Sequence, residues 1–386
     1  MKKENFTFIQ GLLIILPITF VIRASSNVLS TSLPLLAKYQ MLFPESLVGL
    51  LSGLLSFSTF LGSGLVNTGL TSKERRRAFM VSNLLYLVCF PLLYISSPSS
   101  IWFLSVLSGA SLGMIMPNLI TSAGLLEDRK ARERLLSLYA LALSLSLVFG
   151  PLLESWLLDF VSLREVFLWF SIFPCVGLIV SPFVKFPEDE GVRGGLNKEI
   201  LRNPGFIASL LNIATYDVVF AFLLAFGGIF ARETFHVSVA DIEALFSLFF
   251  FSSLLARALM SVRPVTRLWP TVLTSVVLTC LGLSLMLFSN NLLEYALGLL
   301  ILGVPHGTTL PISTIAIVRG VPVKYRNSAN SLFYAFVMLN GTATPIVAGY
   351  LAGIVGLRAE IGLMIPLTIL LGVLVQRYVK YVNEPK

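Results

Sequence analysis

The chain has 386 residues, of which 56% are hydrophobic and only 12% charged, and its mean hydropathy is +0.86. A soluble domain carries roughly 25% charged residues. This chain has 28 Lys and Arg and 20 Asp and Glu. These charged residues are too few to solvate the surface of a protein of this size. The basic residues, which give a net charge of +8, stand in short clusters between apolar runs, and this pattern argues for membrane orientation and against nucleic-acid binding.

Stretches of about 20 mostly apolar residues, the length that crosses roughly 30 Å of hydrocarbon, recur along the whole chain. They predict an all-α membrane protein with twelve transmembrane helices. In chain order the predicted spans are 9–33, 46–66, 78–97, 101–125, 135–158, 164–183, 205–229, 241–262, 268–288, 293–318, 327–352 and 357–379. Capping pairs precede the eighth and tenth spans, Ser238 with Asp241 and Asn291 with Glu294, and they give these two acids a structural interpretation.

One connection is long and polar: residues 184–204 are rich in glycine and charge and divide the chain near its middle. This segment is interpreted as a cytoplasmic linker loop. It separates an N-terminal six-helix bundle, residues 1–183, from a C-terminal six-helix bundle, residues 205–386. Within the linker, the stretch from Leu196 to Arg202 predicts a short surface helix.

The distribution of lysine and arginine predicts which side of the membrane each connection faces. With both termini in the cytoplasm, 23 of the 28 basic residues fall on the inner side and 4 on the outer side. The remaining one, Arg23, lies within the first span. An excess of this size is typical of cytoplasmic loops, so we expect a multi-pass protein of the cell membrane with both termini inside.

Similar residues recur at an offset of 194 residues, about half the chain length. The register runs without a gap from about 109 to 164, and its glycines, prolines and arginines match by chance far less easily than leucines or serines. Its pairs include Gly109 with Gly303, Gly113 with Gly307, Pro117 with Pro311, Pro151 with Pro345 and Arg164 with Arg358. Since each half would hold six spans and enter the membrane from the same side, the sequence predicts two pseudo-symmetric six-helix bundles.

Short motifs in the first half carry a resemblance to a known family. The stretch from Gly62 to Asn67, followed by the basic run from Lys73 to Arg77, is similar to the Gly-x-x-x-Asp pattern and arginine-rich turn of the major facilitator superfamily, with Asn67 in the acidic position. Span 5 is similar to the antiporter motif of that family, except that Glu154 replaces a glycine. The other motif positions hold Ser137, Ser146, Gly150, Pro151 and Ser155. Such residues also suit close helix packing.

Three ionisable residues fall near the predicted membrane midplane, where such groups are costly and usually functional. At about 1.5 Å per residue, Asp217 and His306 lie at the middle of spans 7 and 10, and Arg23 lies about 3 Å from the middle of span 1. The resemblance implies that spans 1 and 7 face each other across a central cavity, so Arg23 and Asp217 either contact substrate or only neutralise each other. His306 either lines the cavity or packs in a Pro-His-Gly turn.

Polar residues at helical spacing extend from these charges along spans 1, 4, 7 and 10, which the resemblance implies line the substrate cavity, and span 11 adds two more. The predicted substrate-binding or proton-coupling residues are Arg23, Asn27, Asn118, Tyr216, Asp217, His306, Asn330 and Tyr334. Glu154, about 11 Å outward of the centre of span 5, is interpreted either as an outer gate or proton site, or as a solvated helix end.

These patterns predict a secondary transporter that moves a small organic solute by alternating access, driven by a proton gradient, and the span 5 motif favours efflux. Uptake of an organic anion bound by Arg23 is the alternative within transport. A membrane sensor or scaffold that kept the fold without transporting is the alternative from another class.

No enzyme is expected, because two histidines and the scattered Cys89, Cys175 and Cys280 offer neither a catalytic triad nor a metal site. The sequence also lacks a phosphate-binding glycine loop, which argues against ATP as the energy source. The expected partners are the small-molecule substrate and the lipid bilayer, with no nucleic acid and no cofactor. The protein is expected to be a monomer.

Overall fold

The structure, a computed structural model, describes residues 7–186, 199–262 and 265–383. Throughout these ranges the regular secondary structure is helical, and twelve helices are long and apolar enough to cross a membrane. We number them α1 to α12 in chain order: Phe8–Tyr39, Glu45–Gly69, Ser72–Tyr94, Ser100–Ala123, Arg129–Leu158, Leu163–Phe183, Pro204–Phe235, Val239–Val262, Leu268–Phe288, Leu292–Gly320, Ser328–Val355 and Leu357–Val379. The fold class and the number of spans predicted from the sequence are confirmed.

Several helices are longer than the apolar runs from which they were predicted. Helix α3 is also shifted along the chain, since it spans Ser72–Tyr94 and not 78–97. Its start is fixed by a capping box in which Thr71 and Glu74 exchange side-chain and backbone hydrogen bonds. The helix therefore begins inside the charged segment that hydropathy assigned to the connection. Asp128 likewise caps α5, which begins six residues before its apolar run.

The predicted capping pairs of α8 and α10 are confirmed. Asp241 accepts hydrogen bonds from both the backbone and the hydroxyl of Ser238, at 3.0 and 2.7 Å. Glu294 donates its backbone N–H to the Asn291 side chain at 3.0 Å and accepts from the Asn291 amide, also at 3.0 Å. These two acids stabilise helix starts. Of the surface helix predicted from Leu196 to Arg202, the first three residues lie outside the described ranges, and Ile200–Arg202 forms a single 3₁₀ turn.

The chain divides into two compact units. The first comprises Met1–Leu42 and Leu54–Gly191, and the second comprises Phe43–Gly53 and Val192–Lys386. The beginning of α2 belongs to the second unit because it packs closely on α11. A β-carbon at Gly49 would overlap the carbonyl oxygen of Pro345, so only glycine permits this approach. The bundle bounds given by the sequence, 1–183 and 205–386, stay a prediction, and most of the predicted linker lies outside the described residues.

The same contact between helices recurs in both units. In the first unit, a β-carbon at Gly109 on α4 would overlap the carbonyl oxygen of Leu55 on α2. In the second unit, a β-carbon at Gly303 on α10 would overlap the carbonyl oxygen of Phe249 on α8. Both residues of the second contact follow those of the first by 194 positions. The next turn repeats the arrangement, with Gly113 against Thr59 and Gly307 against Ser253.

Two arginines join helix ends in an equivalent way. Arg164, at the start of α6, donates to the carbonyl oxygen of Ser96 just beyond α3, at 2.8 Å. Arg358, at the start of α12, donates to the carbonyl oxygens of Leu287 at 2.8 Å and Ser289 at 3.4 Å, at the end of α9. The last carbonyls of a helix have no partner within it, and an arginine fork satisfies two of them while fixing the neighbouring helix.

Replacing either Arg164 or Arg358 with alanine is expected to lower the Tm of the detergent-solubilised protein by about 5 °C, because charge-assisted hydrogen bonds contribute about 1.5–3 kcal/mol. Arg129 provides a matched control, since its 2.8 Å pair with Glu133 is exposed and such pairs contribute little. Equal Tm values for the Arg129→Ala and Arg358→Ala proteins would contradict the stabilising role of the helix-end contact.

Candidate functional site

In the first unit, close packing on both sides of α1 fixes the backbone at Arg23. Ala24 faces Gly150 of α5, where an added β-carbon would lie 3.3 Å from the Ala24 Cα. Ile22 faces Gly177 of α6, where an added β-carbon would lie 2.8 Å from the Ile22 Cδ1. Small residues let helices approach in this way inside a membrane. Arg23, placed between two fully buried neighbours, therefore leaves α1 in a different direction from both.

The polar environment of Arg23 is formed by its own helix and by tyrosines of α5 and α3, Tyr139 and Tyr86, which interact with it electrostatically. Its guanidinium group donates to the Ser26 hydroxyl at 3.4 Å, and the neighbouring Ser25 hydroxyl lies 3.2 Å from the phenol oxygen of Tyr86. One turn further along, Asn27 is only 3% exposed, and its amide nitrogen has no hydrogen-bond partner among the described residues. Buried polar groups are normally paired, so Arg23 and Asn27 have hydrogen-bonding capacity available to a ligand.

Asn118 has a different environment from the one the sequence predicted. Its amide nitrogen donates to the side-chain oxygen of Asn67 at 2.9 Å and to the backbone oxygen of Met114 at 2.6 Å. Both asparagines are buried. The residue in the acidic position of the α2 motif is therefore joined to α4 by a neutral amide pair. This contact gives Asn118 a role in joining two helices, and its assignment to substrate or proton binding stays a prediction.

Glu154 is completely buried, so the interpretation of this residue as a solvated helix end is wrong. Its carboxylate accepts a short hydrogen bond from the hydroxyl of Ser32 on α1. Burial of a charged carboxylate carries a large desolvation cost. The alternative role, as an outer gate or proton site, stays a prediction.

In the second unit, Asp217 of α7 is bonded to α11. The amide nitrogen of Asn340 donates to the Asp217 carboxylate at 2.7 Å, and the hydroxyl of Thr344 donates to the amide oxygen of Asn340 at 3.2 Å. The three side chains form a hydrogen-bonded chain from α7 along one face of α11. Sequence reasoning missed Asn340, although its four-residue spacing to Thr344 places both on one helix face.

His306 lies within α10 and is surrounded by aromatic rings. The Pro-His-Gly sequence forms part of this helix, which continues from Leu292 to Gly320 through Pro305. The imidazole ring centre lies 4.2 Å from that of Phe220 and between 5.3 and 5.9 Å from three further rings. These rings belong to Phe249, Phe250 and Tyr216. These ring contacts suit the interpretation of His306 as a packing residue. Its assignment to substrate or proton binding stays a prediction.

Tyr216 adds a buried hydroxyl to this cluster. It is 2% exposed, and its hydroxyl has no hydrogen-bond partner among the residues described. Its neighbour one turn earlier, Asn212, donates to the backbone oxygen of Thr309 at 3.0 Å and to the Ser313 hydroxyl at 2.8 Å, which joins α7 to α10. In the predicted polar stripe of α7, Asn212 therefore joins two helices, whereas the hydroxyl of Tyr216 has no hydrogen-bond partner among the described residues.

The two predicted residues of α11 lie apart from this chain of hydrogen bonds. Asn330 is partly buried, and Tyr334 is 49% exposed with its ring against Phe333 at 5.6 Å. Their substrate-binding roles stay predictions. Among the described residues, no group of three or more His, Cys, Asp or Glu side chains is placed to hold a metal ion.

Solved structures of transporters share this fold. A bacterial homologue of the human lysosomal transporter Spinster, inward-facing and unoccupied, is 14% identical with a TM-score of 0.73 and covers 99% of this chain and 98% of its own. The nucleoside transporter NupG is 12% identical with a TM-score of 0.71 and covers 96% of this chain and 99% of its own. The human organic anion transporter MFSD10 is 16% identical with a TM-score of 0.68 and covers 96% and 100%.

A search of curated protein sequences gave no match. The sequence model of the Major Facilitator Superfamily matches residues 15–234 and, in a second match, residues 206–386. The first match extends beyond the middle of the chain and overlaps the second, and together they run from residue 15 to residue 386. Because they cover nearly the whole chain, the protein belongs to the Major Facilitator Superfamily.

Proposed function

We propose that the protein is a proton-coupled secondary transporter that exports a small organic solute by alternating access. The family and fold are those of membrane transporters and not of enzymes. Proton coupling rests on one observation: the Asp217 carboxylate on the spanning helix α7, held at 2.7 Å by Asn340. The direction, export, rests on the similarity of span 5 to the antiporter motif. An ionisable side chain within a membrane span is costly, and it usually marks a substrate or proton pathway. A carboxylate bonded to a neutral amide, as here, binds and releases a proton without breaking an ion pair.

A second candidate function, uptake of an organic anion, is favoured by the geometry of Arg23. Its guanidinium group has five N–H donors, and within its unit it makes a single 3.4 Å hydrogen bond, to Ser26, among the described residues. The remaining donors match the two oxygens of a carboxylate or phosphate. MFSD10, one of the structural neighbours, is an organic anion transporter, and this likeness of fold is compatible with either candidate.

The proposal also includes the orientation of the protein in the membrane and its oligomeric state. Both termini face the cytoplasm of a multi-pass protein of the cell membrane, because 23 basic residues would then lie inside and 4 outside. The protein acts as a monomer in this proposal, because the helices of each unit supply all the residues of its polar cluster. The substrate and the bilayer are its partners, and the proton gradient supplies the energy.

Transport by purified protein in liposomes tests the proposal. The probes are radiolabelled nucleosides, dipeptides, organic anions and organic amines, offered with and without a pH gradient. We expect at least one probe to accumulate in a protein-dependent way, and we expect a protonophore to abolish this accumulation. Accumulation of anions that is indifferent to the pH gradient and lost in Arg23→Gln would favour uptake on Arg23. If no probe crosses the membrane although the protein binds one, the non-transporting sensor or scaffold is correct.

A further inference from the structure

A cavity of about 230 Å³ lies within the second unit, between α7, α11 and α12. Its wall is almost entirely apolar, and it contains one ionisable side chain, that of Glu360. The other lining residues are Val218, Ala343, Thr344, Val347, Ala348, Leu351, Leu363, Met364 and Leu367. The predicted transport residues do not include Glu360, so this cavity is separate from the sites assigned from the sequence.

Glu360 is 3% exposed although it lies in the first turn of α12. Other first-turn acids of this protein, such as Glu74 and Glu294, accept hydrogen bonds at the helix start. By contrast, one carboxylate oxygen of Glu360, Oε2, is buried and has no hydrogen-bond partner in the part of the chain that the structure describes. Neither lysine, arginine nor histidine lines the cavity in that part of the chain. A buried acid in this state either keeps its proton or takes a counter-charge or a hydrogen-bond donor from a ligand.

The rim of the cavity indicates where a ligand enters. Val347, Leu363 and Leu367 are exposed apolar residues on spanning helices, with Val347 55% exposed. The opening between them therefore faces a surface that accepts hydrocarbon. The cavity is smaller than the roughly 300–1,000 Å³ of pockets that enclose a whole drug-sized molecule, so it fits the head of a molecule whose tail remains in the lipid.

The cavity lining is connected to Asp217 by hydrogen bonds. Thr344 lines the cavity, and its hydroxyl donates to Asn340 at 3.2 Å, which in turn donates to Asp217 at 2.7 Å. Two hydrogen bonds therefore separate the cavity wall from the carboxylate to which we assign proton coupling.

We propose that this cavity binds a lipophilic amine, with the ammonium group on the Glu360 carboxylate and the hydrocarbon chain leaving between Val347 and Leu363. A cation supplies the missing partner of Glu360, and an apolar chain matches the remaining wall. A phospholipid headgroup fits less well, because its phosphate would enter a cavity whose described lining has no basic side chain. This inference concerns binding at equilibrium and does not depend on which solute is transported.

Equilibrium binding of radiolabelled dodecylamine to the protein in phosphatidylcholine nanodiscs tests the proposal, with partitioning into empty nanodiscs subtracted. We expect saturable binding of one amine per protein at neutral pH, and we expect unlabelled dodecylamine to displace it where dodecanol does not. Glu360→Gln, which keeps the shape of the side chain and removes the charge, is expected to weaken binding at least ten-fold. The absence of saturable binding, or equal affinity of Glu360→Gln, would overturn the proposal.

A second variant keeps the test decisive if Glu360→Gln does not fold. Val347→Trp narrows the rim and leaves the carboxylate in place, so it is expected to reduce binding by a similar factor. Val373→Trp is the matched control, because Val373 is an exposed valine on α12 that does not line the cavity, and it should bind as the unchanged protein does. If Val347→Trp binds dodecylamine normally, or if phosphatidylethanolamine in the nanodisc displaces the amine, the assignment is wrong.

Discussion

Replacing Gly303 with leucine is expected to lower the Tm of the purified protein by about 10 °C or to prevent its accumulation in the membrane. A β-carbon at this position would overlap the Ser252 hydroxyl and the carbonyl oxygen of Phe249, and it would lie 3.2 Å from the Phe249 carbonyl carbon. The obstacle is backbone, which cannot rotate away as a side chain does. The helices α8 and α10 must therefore separate, and they lose contacts along their whole length.

The internal repeat predicts that the equivalent contact in the first unit is equally sensitive to substitution. Gly109→Leu should cause a loss similar to that of Gly303→Leu, because its β-carbon would meet Leu55 on α2 in the equivalent way, 3.1 Å from the carbonyl carbon. Gly353→Leu on α11 is the control, since no atom lies within 4 Å of its β-carbon position. Leucine there gains about 0.7 kcal/mol or less in helix propensity over glycine, so its Tm should be equal or slightly higher.

Thermal unfolding in a mild detergent, followed by intrinsic tryptophan fluorescence, separates these outcomes. Recovery of monodisperse protein from size-exclusion chromatography provides the parallel readout for variants that fail to accumulate. A Gly303→Leu protein that unfolds at the temperature of the unchanged protein would show that α8 and α10 do not approach as described. A large loss in Gly353→Leu would show that any bulky residue is harmful, and it would remove the support for a specific contact.

The spans could be predicted from the sequence because lipid imposes a length and a polarity that a single chain displays directly. The helix ends could not, since they depend on local hydrogen bonds as much as on hydropathy. Helix α3 begins in a charged segment because Thr71 and Glu74 form a capping box. Similarly, the repeat offset indicated which glycines are equivalent, but it gave no information about the carbonyl groups that they contact.

Prediction of the candidate site was limited by contacts between helices, which a single sequence does not display. Asn118 was assigned to substrate or proton binding, and in the structure it joins Asn67. Asn340 was not selected, although it holds Asp217. Glu360 resembles an ordinary capping acid at the start of α12 and differs from one only through its burial among α7, α11 and α12. The sequence shows which polar residues lie within spans, and the structure shows which of them already have partners.

Exchange of the Asp217 and Asn340 side chains is expected to keep the fold and to lower proton-coupled transport at least as much as Asp217→Asn alone. In the Asp217→Asn, Asn340→Asp double variant, the amide of residue 217 can donate to the new carboxylate, which also accepts from Thr344. All the hydrogen bonds of the present chain, at 2.7 and 3.2 Å, are thereby retained. The acid, however, moves from α7 to α11. A structural pair tolerates this exchange, whereas a proton site that acts with α7 does not.

The transport rates of the two single variants are the reference for the exchanged protein. Asp217→Asn leaves an amide pair like that of Asn67 and Asn118, so it should fold and lose about 10- to 100-fold in transport rate, as expected for a charged hydrogen-bonding group. Asn340→Asp places two carboxylates together, and since like charges at this distance cannot both ionise, they should share a proton and shift the pH dependence of transport.

The measurement is pH-driven accumulation in liposomes of whichever probe the unchanged protein carries, alongside the Tm of each variant. Glu294→Gln is the matched control, because it changes an acid of a spanning helix that only caps α10 and should leave transport unaltered. If the exchanged protein transports at half the normal rate or more, the position of the carboxylate is unimportant and the Asp217–Asn340 pair is structural. If it folds as well as the unchanged protein and is inactive, the acid must lie on α7, as proton coupling through Asp217 requires.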